Sequence, residues 1–165
     1  MRTPPVVSGA CIALIVAAAS AAAVAQSPAV ASGQASGTFT AAGKTIKLAH
    51  AAAFVDQGEK DKRVILLLTE QPVPAANWTK STDIMMYRMN KNPLTGVMFR
   101  IDGKGEVVGA DYYAGEFPTS TSGIFELKLD GAPGKTLSGS AKSTEAAGKM
   151  REPVNLNATF SAALK

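Results

Sequence analysis

The sequence predicts an all-β fold, an antiparallel β-sandwich of about seven or eight strands, with a small β-barrel as the alternative. Apolar and polar residues alternate in several segments, and short turns that contain glycine join most of those segments. Residues 63–69 contain an unbroken aliphatic run between a polar turn and the prolines Pro72 and Pro74. Because this run is too short for a buried helix, it predicts a strand that is buried on both faces. We expect the other apolar segments to pack beside it or across from it.

Two strands are expected before this central run. Ordered structure is expected to begin near Gly37, with a short first strand over residues 37–40. Residues 45–55 alternate in polarity, which predicts a half-buried strand despite the helix propensity of the alanines in it. The residues expected on its buried face are Ile46, Leu48, His50, Ala52 and Phe54.

Residues 70–92 are the least strand-like part of the chain after the leader, and we expect one short helix or an irregular excursion over residues 74–92. Ser81, Thr82 and Asp83 carry side-chain oxygens of the kind that accept hydrogen bonds from free N–H groups at the start of a helix. A helix that begins at these residues would end within residues 87–90.

The alternating pattern returns after this excursion and continues to the end of the chain. Residues 102–105 include two glycines and predict a hairpin turn, because glycine adopts positive φ at low cost. Residues 135–143 are polar and small, which predicts a strand at an edge. The strands expected in this half cover residues 97–101, 106–113, 125–129, 135–143 and 154–164.

The first 25 residues predict a signal peptide that is removed on export. An apolar stretch, residues 6–25, ends in Ala-Val-Ala, and small residues at these positions are typical of a signal-peptidase site. We expect cleavage after Ala25, with Ala31 as the second choice because a similar triplet ends there. An uncleaved membrane anchor is disfavoured because the many alanines make a weak membrane span.

Cleavage after Ala25 leaves 140 of the 165 residues and removes Cys11, the one cysteine. The mature chain then has no disulfide, no thiolate metal ligand and no cysteine nucleophile. We expect a flexible linker over residues 26–36 and a single β-rich domain over residues 37–165. Exported proteins without disulfides are common in the bacterial periplasm. The sequence therefore predicts a periplasmic or secreted protein of a Gram-negative bacterium, with no membrane span after cleavage.

Several short segments carry a resemblance to a known group of proteins. With these segments the chain resembles small exported bacterial all-β proteins that have no assigned activity. The resemblance covers most of the mature chain and implies a β-rich periplasmic domain, but it transfers no functional residue. The segments are Gly37-Thr38-Phe39, Gly43-Lys44, Leu48, His50-Ala51, Val64–Thr69, Gln71-Pro72, Leu137-Ser138-Gly139 and Ala158-Thr159-Phe160.

Aromatic side chains are the main candidates for a ligand-binding surface. Tyr112 and Tyr113 are neighbours on a predicted strand and must point to opposite sides, so only one of them can join any given surface. The one histidine, His50, is a further candidate. A neutral core histidine is the favoured interpretation, because no second histidine and no mature cysteine accompany it. The candidate ligand-binding residues are Trp78, Tyr87, Tyr112, Tyr113 and His50.

Three methionines, Met85, Met86 and Met89, lie close together in sequence, and Met98 is near them. Thioethers are soft ligands that bind Cu(I), so the three methionines are candidate metal ligands. The favoured interpretation is that methionine fills gaps under an irregular segment, since copper sites usually include histidines as well.

The loop after the second predicted strand contains Asp56, Glu59 and Asp61. Clustered carboxylates are typical calcium ligands, but three basic residues are interleaved with them and cancel their charge. The loop is therefore expected to be a solvated turn.

Motifs for nucleotide binding and for serine hydrolysis are incomplete in this sequence. Two Gly-Lys-Thr triplets imitate the end of a phosphate-binding loop, but Leu129 and Thr38 stand where that loop requires its first glycine. No Gly-x-Ser-x-Gly motif occurs, and the seventeen basic residues are dispersed, which disfavours nucleic-acid binding. The sequence thus predicts a non-catalytic binding or protein-interaction module of the cell envelope, with no cofactor and with an unknown protein or small ligand as partner. The alternative is a periplasmic Cu(I)-binding protein that uses the methionine cluster.

Overall fold

The computed structural model describes residues 30–165. The predicted signal peptide, Cys11 and the cleavage site after Ala25 lie outside the described residues, as do residues 26–29 of the predicted linker. The first strand begins at Gln34, three residues before Gly37, where ordered structure was expected to begin.

The described chain is almost entirely β-structure, which confirms the predicted all-β class. Nine strands replace the expected seven or eight, because the short strand β6 lies between the strands expected over residues 106–113 and 125–129. A short 3₁₀ turn at Ala75–Asn77 precedes the first helix. The elements are β1 (Gln34–Ala41), β2 (Lys44–Val55), β3 (Val64–Thr69), α1 (Ser81–Met89), β4 (Gly96–Ile101), β5 (Val107–Tyr113), β6 (Thr119–Thr121), β7 (Phe125–Leu129), β8 (Thr136–Ser143), α2 (Glu145–Gly148) and β9 (Asn155–Ala163).

All nine strands belong to one antiparallel sheet, in the order β6-β5-β4-β3-β2-β1-β9-β8-β7. The sheet curls into a half-barrel, since Phe125 on the terminal strand β7 reaches across to the other end. Its ring centroid lies 6.0 Å from that of Phe99 on β4 and 6.5 Å from that of Tyr112 on β5. The expected edge position of residues 135–143 is wrong, because β8 lies between β7 and β9. Its alternate residues, including Leu137 and Ala141, are buried in the core.

The strand β3 is buried on both faces, as its aliphatic run predicts. Leu66 and Leu68 pack into a large core on the inner, concave side of the sheet. Ile65 and Leu67 pack into a smaller cluster on the outer side, under α1. The sheet therefore has two apolar sides at its centre, and β3 is shared by both.

The single buried face predicted for β2 is wrong beyond its first half. Leu48 packs into the inner core, as expected, but Phe54 packs on the outer side. The pairing of β1 with β2 shifts register between Gln34 and Gly37. These two residues are three apart on β1, but their partners on β2, His50 and Leu48, are only two apart. This irregularity lies beside His50, and the alternation of β2 changes phase there. One strand thereby serves both apolar sides of the sheet.

The helix α1 lies where a short helix or irregular excursion was expected. Two carboxylates hold its start: Asp83 accepts hydrogen bonds from the N–H groups of Thr79 (2.8 Å) and Lys80 (2.9 Å), and Asp56 accepts from that of Ser81 (3.1 Å). Asp56 is 1% exposed and also accepts from the N–H of the glycine two residues on, so its expected place in a solvated turn is wrong. Within residues 30–165, no helix is both long enough and apolar enough to cross a membrane.

Candidate functional site

A groove of about 610 Å³ lies on the outer side of the sheet, between α1 and segment 114–118. We call it the outer groove. One wall comes from α1, the floor comes from the outer faces of β4 and β5, and the other wall is the segment that joins β5 to β6. Its apolar lining residues are Met85, Met89, Met98, Tyr113, Phe117 and Pro118. The volume is in the range of sites that hold small ligands.

The walls of the outer groove carry large apolar side chains that reach solvent. Met85 is 56% exposed, Met89 is 67% exposed and Phe117 is 76% exposed. Exposed apolar residues scattered singly are ordinary, but these three line one concave surface. Their arrangement marks the groove as a place where an apolar partner could be bound.

An ion pair crosses the floor of the groove. Nη2 of Arg100 on β4 donates to Oδ2 of Asp111 on β5. A Cβ built on Gly109, which pairs with Arg100 across the two strands, would lie 2.8 Å from Nη1 of that arginine. Glycine at this position therefore leaves room for the guanidinium group above β5.

The two partners of this ion pair differ in exposure. The Arg100 side chain is 25% exposed, whereas that of Asp111 is 9% exposed. The second carboxylate oxygen of Asp111, Oδ1, is buried and has no hydrogen-bond partner within residues 30–165. Both residues line the groove, but the arginine is the more exposed partner of the pair.

Arg88 ties α1 to the opposite wall of the groove. Its Nη2 donates to the carbonyl oxygens of Gly115 (3.2 Å) and Glu116 (2.6 Å). Its guanidinium carbon lies 5.0 Å from the ring centroid of Tyr113, which adds a cation–π contact. The helix and segment 114–118 are thus held at a fixed separation.

Tyr113 lies beneath Arg88 and is 5% exposed. Its hydroxyl donates a weak hydrogen bond to Sδ of Met98 (3.6 Å). Burial of the ring and the nearby negative charge of Asp111 raise the pKa of Tyr113 to about 12. At neutral pH this phenol is therefore an un-ionised donor.

The candidate aromatic residues are divided among three places. Trp78 and Tyr87 pack edge to face, with ring centroids 5.4 Å apart, in the outer cluster. Tyr112 packs with the phenylalanines of the inner core, on the side opposite Tyr113, as the alternation predicts. His50 is half-buried on β2, where it pairs with a β3 threonine. Of these five candidates, the groove lining described here includes Tyr113.

The three candidate methionines are also divided. Met85 and Met89 lie one helical turn apart and line the outer groove together with Met98 from β4. Met86 is 52% exposed and does not belong to the groove lining. Within residues 30–165, no group of three or more His, Cys, Asp or Glu side chains is placed to hold a metal ion.

The sequence analysis missed Arg100, Asp111 and Phe117 as site residues. The sequence does contain a signal for Arg100 and Asp111. When the hairpin turn is placed at residues 102–105, these two oppositely charged residues lie on neighbouring strands and on the same face of the sheet. Phe117 gives no comparable signal, because its exposure depends on how segment 114–118 folds over β5.

No family model matches this chain, and comparisons with curated proteins and with solved structures find no similar protein. The predicted resemblance to small exported bacterial proteins stays a prediction. The functional conclusion depends on the geometry of the outer groove.

Proposed function

We propose that this chain is an exported, non-catalytic binding module of the bacterial cell envelope, and that the outer groove is its binding site for a small amphipathic ligand. One observation carries the proposal: Met85, Met89 and Phe117 expose large apolar surfaces around a single concavity of about 610 Å³. Filling that concavity with an apolar group would remove this surface from water.

The polar groups around the groove support binding over catalysis. Arg88 is engaged with two carbonyl oxygens, and Arg100 is paired with Asp111. General acid–base catalysis works best with a group whose pKa lies near the working pH, and the pKa of Tyr113 is about 12. These groups hold the walls and floor of the groove in place. That role is typical of a binding site and does not require a proton transfer.

We further regard the curled sheet as an incomplete barrel in preference to a sandwich. Its concave side is filled by packed aromatic rings, including those of Phe39, Phe99 and Phe125. A barrel that is filled in this way has its ligand surface outside, where the outer groove lies. The predicted signal peptide supports a periplasmic or secreted location for this surface.

Binding of an uncharged, apolar naphthylamine fluorophore to the chain from residue 26 onward tests the proposal. We expect saturable binding with a rise in fluorescence. Met89→Lys places a charge in the groove wall and is expected to weaken binding by at least about ten-fold, or about 1.4 kcal/mol. Met86→Lys is the matched control, because Met86 lies on the same exposed helix but does not line the groove. Absence of saturable binding, or equal weakening by the two variants, would contradict the proposal.

A second candidate function is Cu(I) binding, and one observation favours it. Met85, Met89 and Met98 line the same groove, so methionines from a helix and from a strand border one space. Soft thioether ligands suit Cu(I). In this arrangement Met98 takes the place that the sequence analysis gave to Met86.

Anaerobic titration with Cu(I) separates the two functions. If copper is the ligand, the wild-type chain takes up one equivalent, Met85→Leu/Met89→Leu loses that uptake, and Met86→Leu keeps it. Leucine preserves the apolar wall, so the double variant is expected to bind the fluorophore in either case. Absence of stoichiometric uptake, or uptake that survives Met85→Leu/Met89→Leu, rules out the copper site.

A further inference from the structure

We infer that the ligand of the outer groove is a free fatty carboxylate of medium chain length, with its hydrocarbon chain along Met85, Met89 and Phe117 and its carboxylate on Arg100. This inference rests on the proposed binding function and adds the chemical class of the ligand. It follows from the hydrogen-bonding capacity of Arg100, the place of Asp111 and the charges around the groove.

Arg100 has donors to spare at the floor of the groove. A guanidinium group carries five N–H donors, and within the described chain the hydrogen bond that Arg100 makes runs from Nη2 to Asp111. The side chain is 25% exposed and lines the groove. Its remaining N–H groups can therefore meet a ligand without giving up the ion pair.

Asp111 acts as a positioning residue for Arg100. Its side chain is nine-tenths buried and accepts from one end of the guanidinium group, while Gly109 leaves space beneath the other end. A guanidinium group fixed in this way presents a planar fork, which matches the two oxygens of a carboxylate. Because the Arg100 side chain is 25% exposed, water screens its attraction for an opposite charge less than it would for a fully exposed arginine.

The other charged groups of the groove do not favour a cationic ligand over an anionic one. Oδ1 of Asp111 is buried, so an ammonium group in the groove cannot reach it. Arg88 is engaged with the backbone of segment 114–118. Glu116 lies at the exposed rim, where solvent and salt screen its repulsion of an anion. Of the two charged residues at the floor, Arg100 is the more exposed, so an anionic head group has the better access to its partner.

The shape of the groove favours a hydrocarbon chain as the rest of the ligand. Met85 and Met89 are four residues apart on α1, so they extend the apolar wall by about 6 Å along the helix axis. Phe117 and Pro118 continue an apolar surface on the opposite wall. Methionine side chains adapt to a flexible chain because their thioether stems turn easily.

Competition between the neutral fluorophore and two matched amphiphiles tests the inference. Dodecanoate and dodecanol share the same hydrocarbon chain, so a difference between them reports the head group. We expect dodecanoate to displace the fluorophore at a concentration about ten-fold lower than dodecanol, below the aggregation limit of either. In Arg100→Gln/Asp111→Asn, which keeps a neutral hydrogen-bonded pair on the floor, that advantage is expected to disappear, so that the two amphiphiles displace the fluorophore at similar concentrations.

Two further variants make the test specific to the position of the guanidinium group. Gly109→Ala keeps every charge but places a Cβ against Nη1 of Arg100, so we expect it to reduce the preference for dodecanoate several-fold. Glu126→Gln/Lys142→Gln removes an exposed ion pair between β7 and β8 and is expected to leave the preference intact.

The possible failures of the two proposals are distinct. Equal displacement by dodecanoate and dodecanol in the wild-type chain, or a preference that survives Arg100→Gln/Asp111→Asn, overturns the carboxylate inference while fluorophore binding upholds the groove. Failure of the wild-type chain to bind the fluorophore and both amphiphiles overturns the inference and the proposed function together.

Discussion

The two sides of the sheet are built differently. On the inner side the curl brings strands from both ends together, and aromatic rings from β1, β4, β5 and β7 meet with centroids 5.7 to 6.5 Å apart. On the outer side one nine-residue helix and a 3₁₀ turn cover the middle of the sheet, and the apolar cluster beneath them ends at the outer groove. The inner side is therefore a closed core, whereas the outer side keeps apolar surface in contact with water.

This difference indicates how one sheet can serve two purposes. A sheet that encloses its own core on one side needs little cover on the other for stability. Its outer layer can then hold a rigid groove, here fixed by Arg88, by the pair of Arg100 with Asp111, and by the Asp56 anchor of α1. The predictions below test whether stability belongs mainly to the inner side and recognition to the outer side.

The largest expected effect comes from the inner core. Phe99 is fully buried and its ring packs against Phe125 from the far end of the sheet. Phe99→Ala leaves a cavity that neighbouring strands cannot close, so we expect a loss of about 3–5 kcal/mol in the free energy of unfolding. Urea denaturation followed by far-ultraviolet circular dichroism measures it. A loss below about 1 kcal/mol would show that the ends of the sheet do not meet as described.

A smaller loss is expected from the anchor of α1. Asp56→Ala removes the acceptor of the Ser81 and Gly58 N–H groups and should lower the free energy of unfolding by about 1–3 kcal/mol. It should also weaken fluorophore binding, because the helix forms one wall of the groove. Glu59→Ala, which removes an exposed ion pair with Arg63 in the same loop, is the control and is expected to cost less than about 1 kcal/mol. Equal effects of the two changes would contradict the anchoring role of Asp56.

An alkaline effect is expected from Tyr113. Its pKa is raised to about 12 in the folded chain, above the ordinary value of 10.0, so the folded state holds the phenolic proton more tightly than the unfolded state. This stabilisation is complete below pH 10 and is lost as the pH rises towards 12, by an amount on the order of 1–2 kcal/mol. Urea midpoints at successive pH values should fall more steeply for the wild-type chain than for Tyr113→Phe. Parallel curves for the two proteins would show that the phenol is not buried.

The smallest stability effect is expected at the groove wall. Met89 is 67% exposed, so Met89→Lys should change the free energy of unfolding by no more than about 0.5 kcal/mol even as it weakens binding. The same urea experiment measures it. A large loss of stability would mean that the exposed methionines are part of the structural core and would remove the contrast between the two sides.

Much of the fold follows from local alternation. Residues 154–164 alternate without interruption, and Val154, Leu156, Ala158, Phe160 and Ala162 are buried in the inner core as the pattern predicts. The aliphatic run of β3 likewise predicts its burial on both faces. Such patterns give reliable results because each strand repeats its side-chain direction every two residues.

The sequence-based predictions are wrong where contacts between residues far apart in the chain determine the structure. The phase change in β2 near His50 follows from its pairing with β1, which a single strand's pattern does not contain. The interior position of β8 follows from the order of all nine strands, although its small polar residues are typical of an edge. The burial of Asp56 depends on the start of α1, 25 residues further along the chain.

The site was predictable only in part, for the same reason. Tyr113, Met85 and Met89 were singled out from the sequence, and all three line the outer groove. Arg100 and Asp111 become a pair only when β4 and β5 are placed side by side, and Phe117 becomes exposed only through the path of segment 114–118.

An NMR titration of the chain from residue 26 onward with dodecanoate tests most directly whether recognition belongs to the outer side of the sheet. We predict saturable changes in amide chemical shifts confined to α1, to the strand positions of Arg100 and Asp111, and to segment 114–118. Residues of β8 and β9, at the other end of the sheet, should stay unchanged. Changes that centre on β8 and β9, or that spread evenly over the chain without saturation, would contradict the assignment of the outer groove as the binding site.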